Sequence, residues 1–199
     1  MFKKIAVLGA GLLGGSLAGA VQDARLARTV TLWARREASV RQARRRRLAD
    51  EATTDLARAV RDADLVVLAT TIGAMPDVVR AARPWLKAGA VMTDVGSVKE
   101  PVLRNLKREL RSTGVFLVGS HPMAGGEKTG LKAARRDLFR RAVCLVTTDQ
   151  DVDRAALRMV KRFWSRLGME VVELTPAEHD RVVARISHLP HLLAACLVN

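Results

Sequence analysis

Tyrosine is absent from this chain, and phenylalanine and tryptophan together supply only 4% of its 199 residues. That scarcity excludes an aromatic platform of the kind on which single-stranded nucleic acids stack. Cysteine is rarer still. The two present, Cys144 and Cys196, stand at no metal-ligand spacing and build no disulfide framework, which fits a reducing cytosol with no bound metal. No apolar run is long enough to span a bilayer, and the N-terminus enters a strand pattern at once, with no signal peptide. The expected location is the cytoplasm, and no membrane partner is expected.

Acidic residues are outnumbered, 20 against 34 Lys and Arg, for a net charge of +14. The run Arg44-Arg45-Arg46-Arg47 invites a nucleic-acid reading. The basic residues, however, are spread along every helical pattern. An arginine-rich solvated surface is therefore the better reading, with no specific nucleic acid as partner. Such a field also attracts anionic cofactors and substrates. The remaining composition, 49% hydrophobic and 27% charged, is that of a globular protein, and the length suits one full α/β domain with little left over.

What the chain does contain is concentrated near its start. The apolar run Lys4-Ile5-Ala6-Val7-Leu8 fits a buried strand and breaks into Gly9-x-Gly11-x-x-Gly14, after which helix formers resume. In a strand–turn–helix context each glycine has a job. Gly9 permits the tight turn, Gly11 lets a pyrophosphate approach the backbone, and Gly14 lets the helix pack against the strand. The free N–H groups and positive dipole end of the helix, with Leu12 and Leu13 in its first turn, then face the phosphates. The second strand, Val30-Thr31-Leu32-Trp33-Ala34, ends about twenty residues beyond the glycines, where an acidic residue would hold a ribose 2′-OH. This chain has Arg35-Arg36 there instead. Two guanidiniums suit a 2′-phosphate, which favours NADP, with NAD the alternative if these are simply two more solvated arginines.

Further on, strand and helix patterns alternate as in a doubly wound, mostly parallel Rossmann sheet. Helices are expected through the Arg44 region, near residues 56–61, and over residues 75–86, 101–111 and 151–167. Strands are expected over residues 65–69, 90–94, 116–119, 143–147 and 170–173. A boundary follows Leu174, dividing a dinucleotide-binding domain, residues 1–174, from the start of a helical substrate and dimerisation domain, residues 175–199. Thr175-Pro176-Ala177-Glu178 is a capping box with proline at the first helical position. The helix it opens carries apolar residues from Val182 to Leu193 and stops without a cap, so it wants a partner. The expectation is a fragment of a longer protein; packing in an oligomer is the other reading.

Three clusters fall where strands of such a sheet would end: Asp94-Val95-Gly96-Ser97-Val98-Lys99, Ser120-His121-Pro122-Met123-Ala124-Gly125-Gly126-Glu127, and Ser187-His188-Leu189-Pro190-His191. On residue chemistry alone they stay ambiguous. A His-Pro pair after a strand is either turn chemistry or a base, and His188 and His191 at i, i+3 are equally interface histidines beside a Pro190 kink. His179, just inside the capping box, reads as structural or solvated. Together with the glycine loop, these clusters closely resemble the prephenate and arogenate dehydrogenases of tyrosine biosynthesis. The likeness runs along the whole chain and is most specific at His121-Pro122-Met123-Ala124-Gly125 and Ser187-His188-Leu189-Pro190-His191.

The resemblance implies an NAD(P)-dependent oxidative decarboxylation of prephenate or arogenate. It makes His121 the base at the substrate hydroxyl and Ser97 its hydrogen-bonding neighbour. His191 and Ser187 would meet the substrate side chain and carboxylates, and Glu127 would shape the pocket. Gly9, Gly11, Leu12, Leu13, Gly14, Arg35, Arg36 and Thr70 would contact the cofactor. The chain departs from the family in two ways. Thr70-Thr71-Ile72 stands where many relatives carry proline, and the family's helical domain, which forms its homodimer, continues past Asn199. Two other readings compete. One is another Rossmann reductase, of the β-hydroxyacid dehydrogenase or pyrroline-carboxylate reductase type. These lack the His-Pro-Met-Ala-Gly segment, and the former would want a catalytic lysine, of which none follows Lys161. The other is a non-catalytic dinucleotide-binding regulatory module.

Overall fold

A computed structural model describes residues 1–198; the side chains of His191 and Val198 and the whole of Asn199 lie outside the described residues. Strands β1 (Phe2–Leu8), β2 (Ala27–Trp33), β3 (Glu51–Thr53), β4 (Leu65–Leu68), β5 (Val91–Asp94) and β6 (Phe116–Leu117) form one sheet. Their order is β3-β2-β1-β4-β5-β6, and every pairing is parallel. This is the doubly wound order, and the direction of winding reverses between β1 and β4, which opens a crevice at the carboxyl ends of those strands.

Apolar runs without alternation make these strands central, because both of their faces are covered. Ile5, Val7, Leu65 and Val67 point into one core with Leu17 and Val21 of α1 (Leu12–Asp23) and Phe163 of α6 (Arg154–Arg166). Their neighbours Ala6, Leu8, Val66 and Leu68 point into the other. There they meet Val60 of α3 (Leu56–Val60), Val79 of α4 (Met75–Ala82) and Leu106 of α5 (Glu100–Glu109). Four of the seven aromatics gather at the first core. Phe163 packs edge-on to Trp164 at 5.0 Å and to Phe2 at 6.2 Å, and Phe139 lies 5.8 Å from Trp164.

The expected strand over residues 116–119 is divided in two. The main sheet keeps only Phe116 and Leu117, and β7 (Ser120–Pro122) leaves it to pair antiparallel with β8 (Val143–Thr147), itself parallel to β9 (Glu170–Leu174). Gly119 allows the departure: a Cβ there would stand 2.5 Å from Thr147 Oγ1. The helix expected over residues 75–86 is α only to Ala82, and a 3-10 turn over Arg83–Trp85 holds Pro84, which has no N–H to continue it. The helix expected from residue 151 begins at Arg154, because the Asp153 carboxylate accepts the Ala156 N–H and caps it.

Part of the basic run is structural. From the end of α2 (Glu37–Arg45), Arg46 donates to the carbonyls of Leu131, Lys132 and Ala134, the last at 2.6 Å. Arg136 reciprocates with the carbonyls of Gly19 and Arg47. The loop after β7 is thereby tied to α1 and to the end of α2.

At the C-terminal end the capping box is formed. The Glu178 N–H donates to Thr175 Oγ1 at 3.2 Å, and Glu178 accepts the Thr175 N–H at 2.8 Å, starting α7 (Pro176–Val183). A π turn, Ala184–His188, follows before α8 (Leu189–Val198). Pro190 just beyond it has no N–H for the Ile186 carbonyl, a recognised cause of such bulges. Ile186, Leu192 and Leu193 are 63%, 61% and 55% exposed, so the apolar face foreseen in the sequence is uncovered. Among the described residues no helix is long and apolar enough to cross a membrane.

Candidate active site

The crevice at the switch point is built by the glycine turn. Gly9 has φ +124°, a left-handed conformation, and a Cβ on it would stand 2.4 Å from the Ala69 carbonyl oxygen. A Cβ on Gly14 would overlap the Gly9 carbonyl at 1.8 Å, so only glycine lets α1 lie this close to β1. At Gly11 a Cβ would meet nothing within 4 Å. Gly11 is also the N-cap of α1 with no side-chain cap, which leaves the first N–H groups, including those of Leu12 and Leu13, facing open space. A cleft of about 360 Å³ adjoins this turn, lined by Gly9, Gly11, Ala34, Arg35, Arg36 and Thr70 among others. Arg35 and Arg36 are exposed on its wall, and Thr70 Oγ1 is buried without a partner. An open anion cradle at a helix N-terminus, two guanidiniums and an orphan hydroxyl fit a dinucleotide.

A second group of side chains sits at the carboxyl end of β5. Asp94 and Lys99 form an ion pair with neither side chain exposed. The pair is anchored on all sides, as a buried pair must be. Asp94 accepts the N–H of Gly96 at 2.9 Å and of Ser120 at 3.2 Å, while Lys99 Nζ donates to the Ser120 carbonyl at 2.7 Å. Ser120 Oγ bonds Thr93 and accepts from the Trp164 indole at 3.0 Å. These contacts fix β7, and with it the next residue, His121, beside the carboxyl end of β5.

His121 is half-buried, and its Nδ1 lies 3.0 Å from Nε2 of His179 on α7. His179 is fully buried, and its Nδ1 is 2.8 Å from Asp180 Oδ1. Asp180 in turn accepts the backbone N–H groups of Lys99 at 2.7 Å and Glu100 at 3.0 Å, capping the first turn of α5. Burial, then the Lys99 charge and the His179 and His188 rings, lower the His121 pKa to about 3, with Asp180 opposing. Burial likewise lowers His179. Burial would raise Asp180, but the Glu100 N–H, the His179 ring and the Lys99 N–H hold it below the ordinary carboxylate value.

The other residues named from the sequence are distributed around this group. Ser97 is half-buried on the loop after β5, with no hydrogen bond to His121 among the described residues; the bonded ring nitrogen of His121 is held by His179. Ser187 is half-buried and His188 exposed, both on the π turn. Glu127 is exposed on the loop after β7, and the side chain of His191 lies outside the described residues. His179 is not solvated, as one sequence reading had it. The signal that could have placed it is its spacing from Val183, four residues on and also fully buried.

Strand order, glycine cradle and crevice together define a Rossmann protein of the dinucleotide-binding class. Residues 17–173 match the family described as prephenate dehydrogenase, nucleotide-binding domain, and residues 175–199 match prephenate dehydrogenase, dimerization domain. The chain belongs to the prephenate dehydrogenase family. Among its relatives is the cyclohexadienyl dehydrogenase of Zymomonas mobilis, 36% identical over all of this chain and 67% of that protein. The prephenate dehydrogenase of Bacillus subtilis is 32% identical over 98% of this chain and 53% of its own length, so the chain spans between half and two thirds of these relatives. Among solved structures, A. aeolicus prephenate dehydrogenase, in complex with hydroxyphenyl propionate and NAD+, superposes with a TM-score of 0.91. It is 28% identical, over all of this chain and 68% of that one. Synechocystis arogenate dehydrogenase gives 0.88 at 32% identity, over 98% of this chain and 68% of that one.

Proposed function

We propose that this chain carries out the dinucleotide-dependent oxidative decarboxylation of prephenate or arogenate, with residues 1–174 holding the dinucleotide and residues 175–199 opening the substrate side. The observation that carries the reading is His121, a neutral imidazole fixed beside the carboxyl end of β5 through Ser120, Asp94 and Lys99. The names of the relatives supply the substrate class. A bound oxidised dinucleotide would supply the acceptor for the hydride leaving the ring carbon that bears the hydroxyl. His121 takes the hydroxyl proton, and carbon dioxide leaves as the ring becomes aromatic. Ser97, on the loop above β5, meets the substrate hydroxyl. Ser187 and His191 serve the side chain and carboxylates, and Glu127 closes the pocket from its loop.

NADP is the preferred cofactor in this reading, with Arg35 and Arg36 placed on the cleft wall for a 2′-phosphate. The uncovered face of α8 supports a homodimer when the helical part is complete, and the cytoplasm is the location in this reading. The test is dinucleotide reduction assayed with each substrate, by this chain and by its full-length gene product. His121→Asn should lower kcat by about a hundredfold to ten-thousandfold, as loss of a general base does, with dinucleotide affinity nearly unchanged. Turnover of neither substrate by the full-length protein would overturn the reading.

A further inference from the structure

The mechanism above gives the proton to His121 alone, yet the structure places a second histidine, His179, between it and a carboxylate. The donors along that line can be assigned without seeing a hydrogen. Asp180 is anchored by two backbone N–H groups at the start of α5 and can only accept from His179 Nδ1, so that nitrogen carries the proton. A neutral His179 then has a lone pair on Nε2, and the Nδ1 of His121, 3.0 Å away, must be the donor. That leaves Nε2 of His121 as its unprotonated nitrogen.

We propose that His179 and Asp180 are positioning residues for His121, fixing its ring and its Nδ1–H tautomer so that Nε2 faces the substrate as the proton acceptor. The inference rests on the reading of His121 as the base. In the step, the substrate O–H bond breaks with its electron pair left on oxygen, and an N–H bond forms at Nε2. The new imidazolium keeps its Nδ1–H donated to His179, and the negative charge of Asp180, delivered through that ring, stabilises it. No proton need travel along the line. The logic is that of a base oriented by a third group.

The groups facing His121 support this division of labour. Lys99 from the start of α5, His188 from the π turn and His179 from α7 all disfavour a positive ring, and Asp180 favours one. Burial keeps His121 and His179 neutral, the state in which the tautomers are coupled. Cys144 on β8 is the other titratable group at this strand; burial pushes its thiol up, so it stays neutral. The geometry is also fixed from outside the rings. The capping box starts α7 at one register, and Asp180 is tied to α5 by two bonds, so His179 has little freedom to swing away.

The test is long-range proton–nitrogen correlation NMR on the 15N-labelled 199-residue chain, which reports the tautomer of each of its four histidines. The expected result is a predominant Nδ1–H tautomer at both His121 and His179. His179→Leu should move His121 toward the Nε2–H form otherwise common for histidine. His179→Gln, whose amide can still accept from His121 and donate to Asp180, should retain the Nδ1–H form. Asp180→Asn should release the tautomer of His179 and lower the pKa of His121, and it guards against a misfolded His179→Leu. In the full-length protein, His179→Leu should cut kcat by about tenfold to a hundredfold, the scale on which orienting partners act, with KM little changed. An Nε2–H tautomer at His121 in the unmodified chain, or an Nδ1–H tautomer that His179→Leu leaves in place, would overturn the positioning role. That result is independent of the substrate assay, so the positioning role and the proposed function can fail separately.

Discussion

The carboxylate of Asp94 and the ammonium of Lys99 meet five residues apart with neither exposed to water. Between them they bond the N–H groups of Gly96 and Ser120 and the carbonyl of Ser120. Removing one partner leaves the other charged and unpaired. Asp94→Asn or Lys99→Met alone should each cost about 3–5 kcal/mol in urea unfolding. The double variant should lose less than the sum of the two. Additive losses would mean the charges do not act as a pair.

The glycine turn separates folding from binding. Gly11→Ala adds a Cβ to open space at an extended backbone position, so the melting temperature should hardly move while dinucleotide affinity falls. Gly14→Ala drives a Cβ into the Gly9 carbonyl and should destabilise the fold itself. Calorimetry beside a binding titration checks both. Equal destabilisation would contradict the assignment of Gly11 to the ligand.

Cofactor choice should be readable at Arg35 and Arg36, which stand exposed on the cleft wall. Replacing both with alanine should weaken NADP binding far more than NAD binding, since only the former presents a 2′-phosphate. NAD binding at least as tight as NADP binding in the unaltered chain would defeat the preference.

Acid should destabilise the protein through His121. Its pKa falls from 6.5 to about 3 on folding, so between those values the unfolded chain binds the proton that the native one refuses. Stability from this group is full above pH 6.5 and is lost as pH drops toward 3. His121→Asn should flatten that part of the stability–pH curve. For the same reason, the acid limb of kcat/KM should lie below the usual histidine range. A limb at the ordinary histidine value, with no change of stability slope in the variant, would show that the ring is solvated.

Arg46 should matter as a brace. Its three carbonyl partners lie 85 to 88 residues away, and Arg46→Ala should cost at least about 1.5 kcal/mol and expose the loop after β7 to proteases. An unchanged cleavage pattern would reduce Arg46 to surface charge.

The main sheet, apart from its three-residue edge strand β3, was legible in the sequence because its signals are local. Leu65-Val66-Val67-Leu68 is apolar throughout, and Gly9, Gly11 and Gly14 stand in their strand–turn–helix context. Of the side sheet, β8 and β9 were legible as strands, but β7 was not. Ser120-His121-Pro122 has too short a pattern to announce a strand, and its pairing with β8 depends on a bend that only the neighbourhood of Gly119 explains. In the candidate site, His121 could be picked out through its motif. His179, Asp180 and the Asp94–Lys99 pair could not, because their meaning lies in contacts across 58 and 81 residues of chain or in burial, neither of which a spacing rule sees. The arginine run misled in another way: charge reads as surface, yet Arg44 and Arg46 use their guanidiniums on carbonyls of the chain itself.

The cap that Asp180 places on α5 bears on how separable the two sequence regions are. The first N–H groups of a helix inside the dinucleotide-binding part are satisfied by a carboxylate belonging to the helical part, and Lys99, the N-cap, offers no substitute of its own. The halves are therefore not interchangeable modules. A graft that joined residues 1–174 to a foreign helical partner would fray α5 and loosen the segment bearing Lys99 unless the newcomer returned an acceptor to the same spot. Shuffling between relatives should succeed only where that single acidic position travels with the graft.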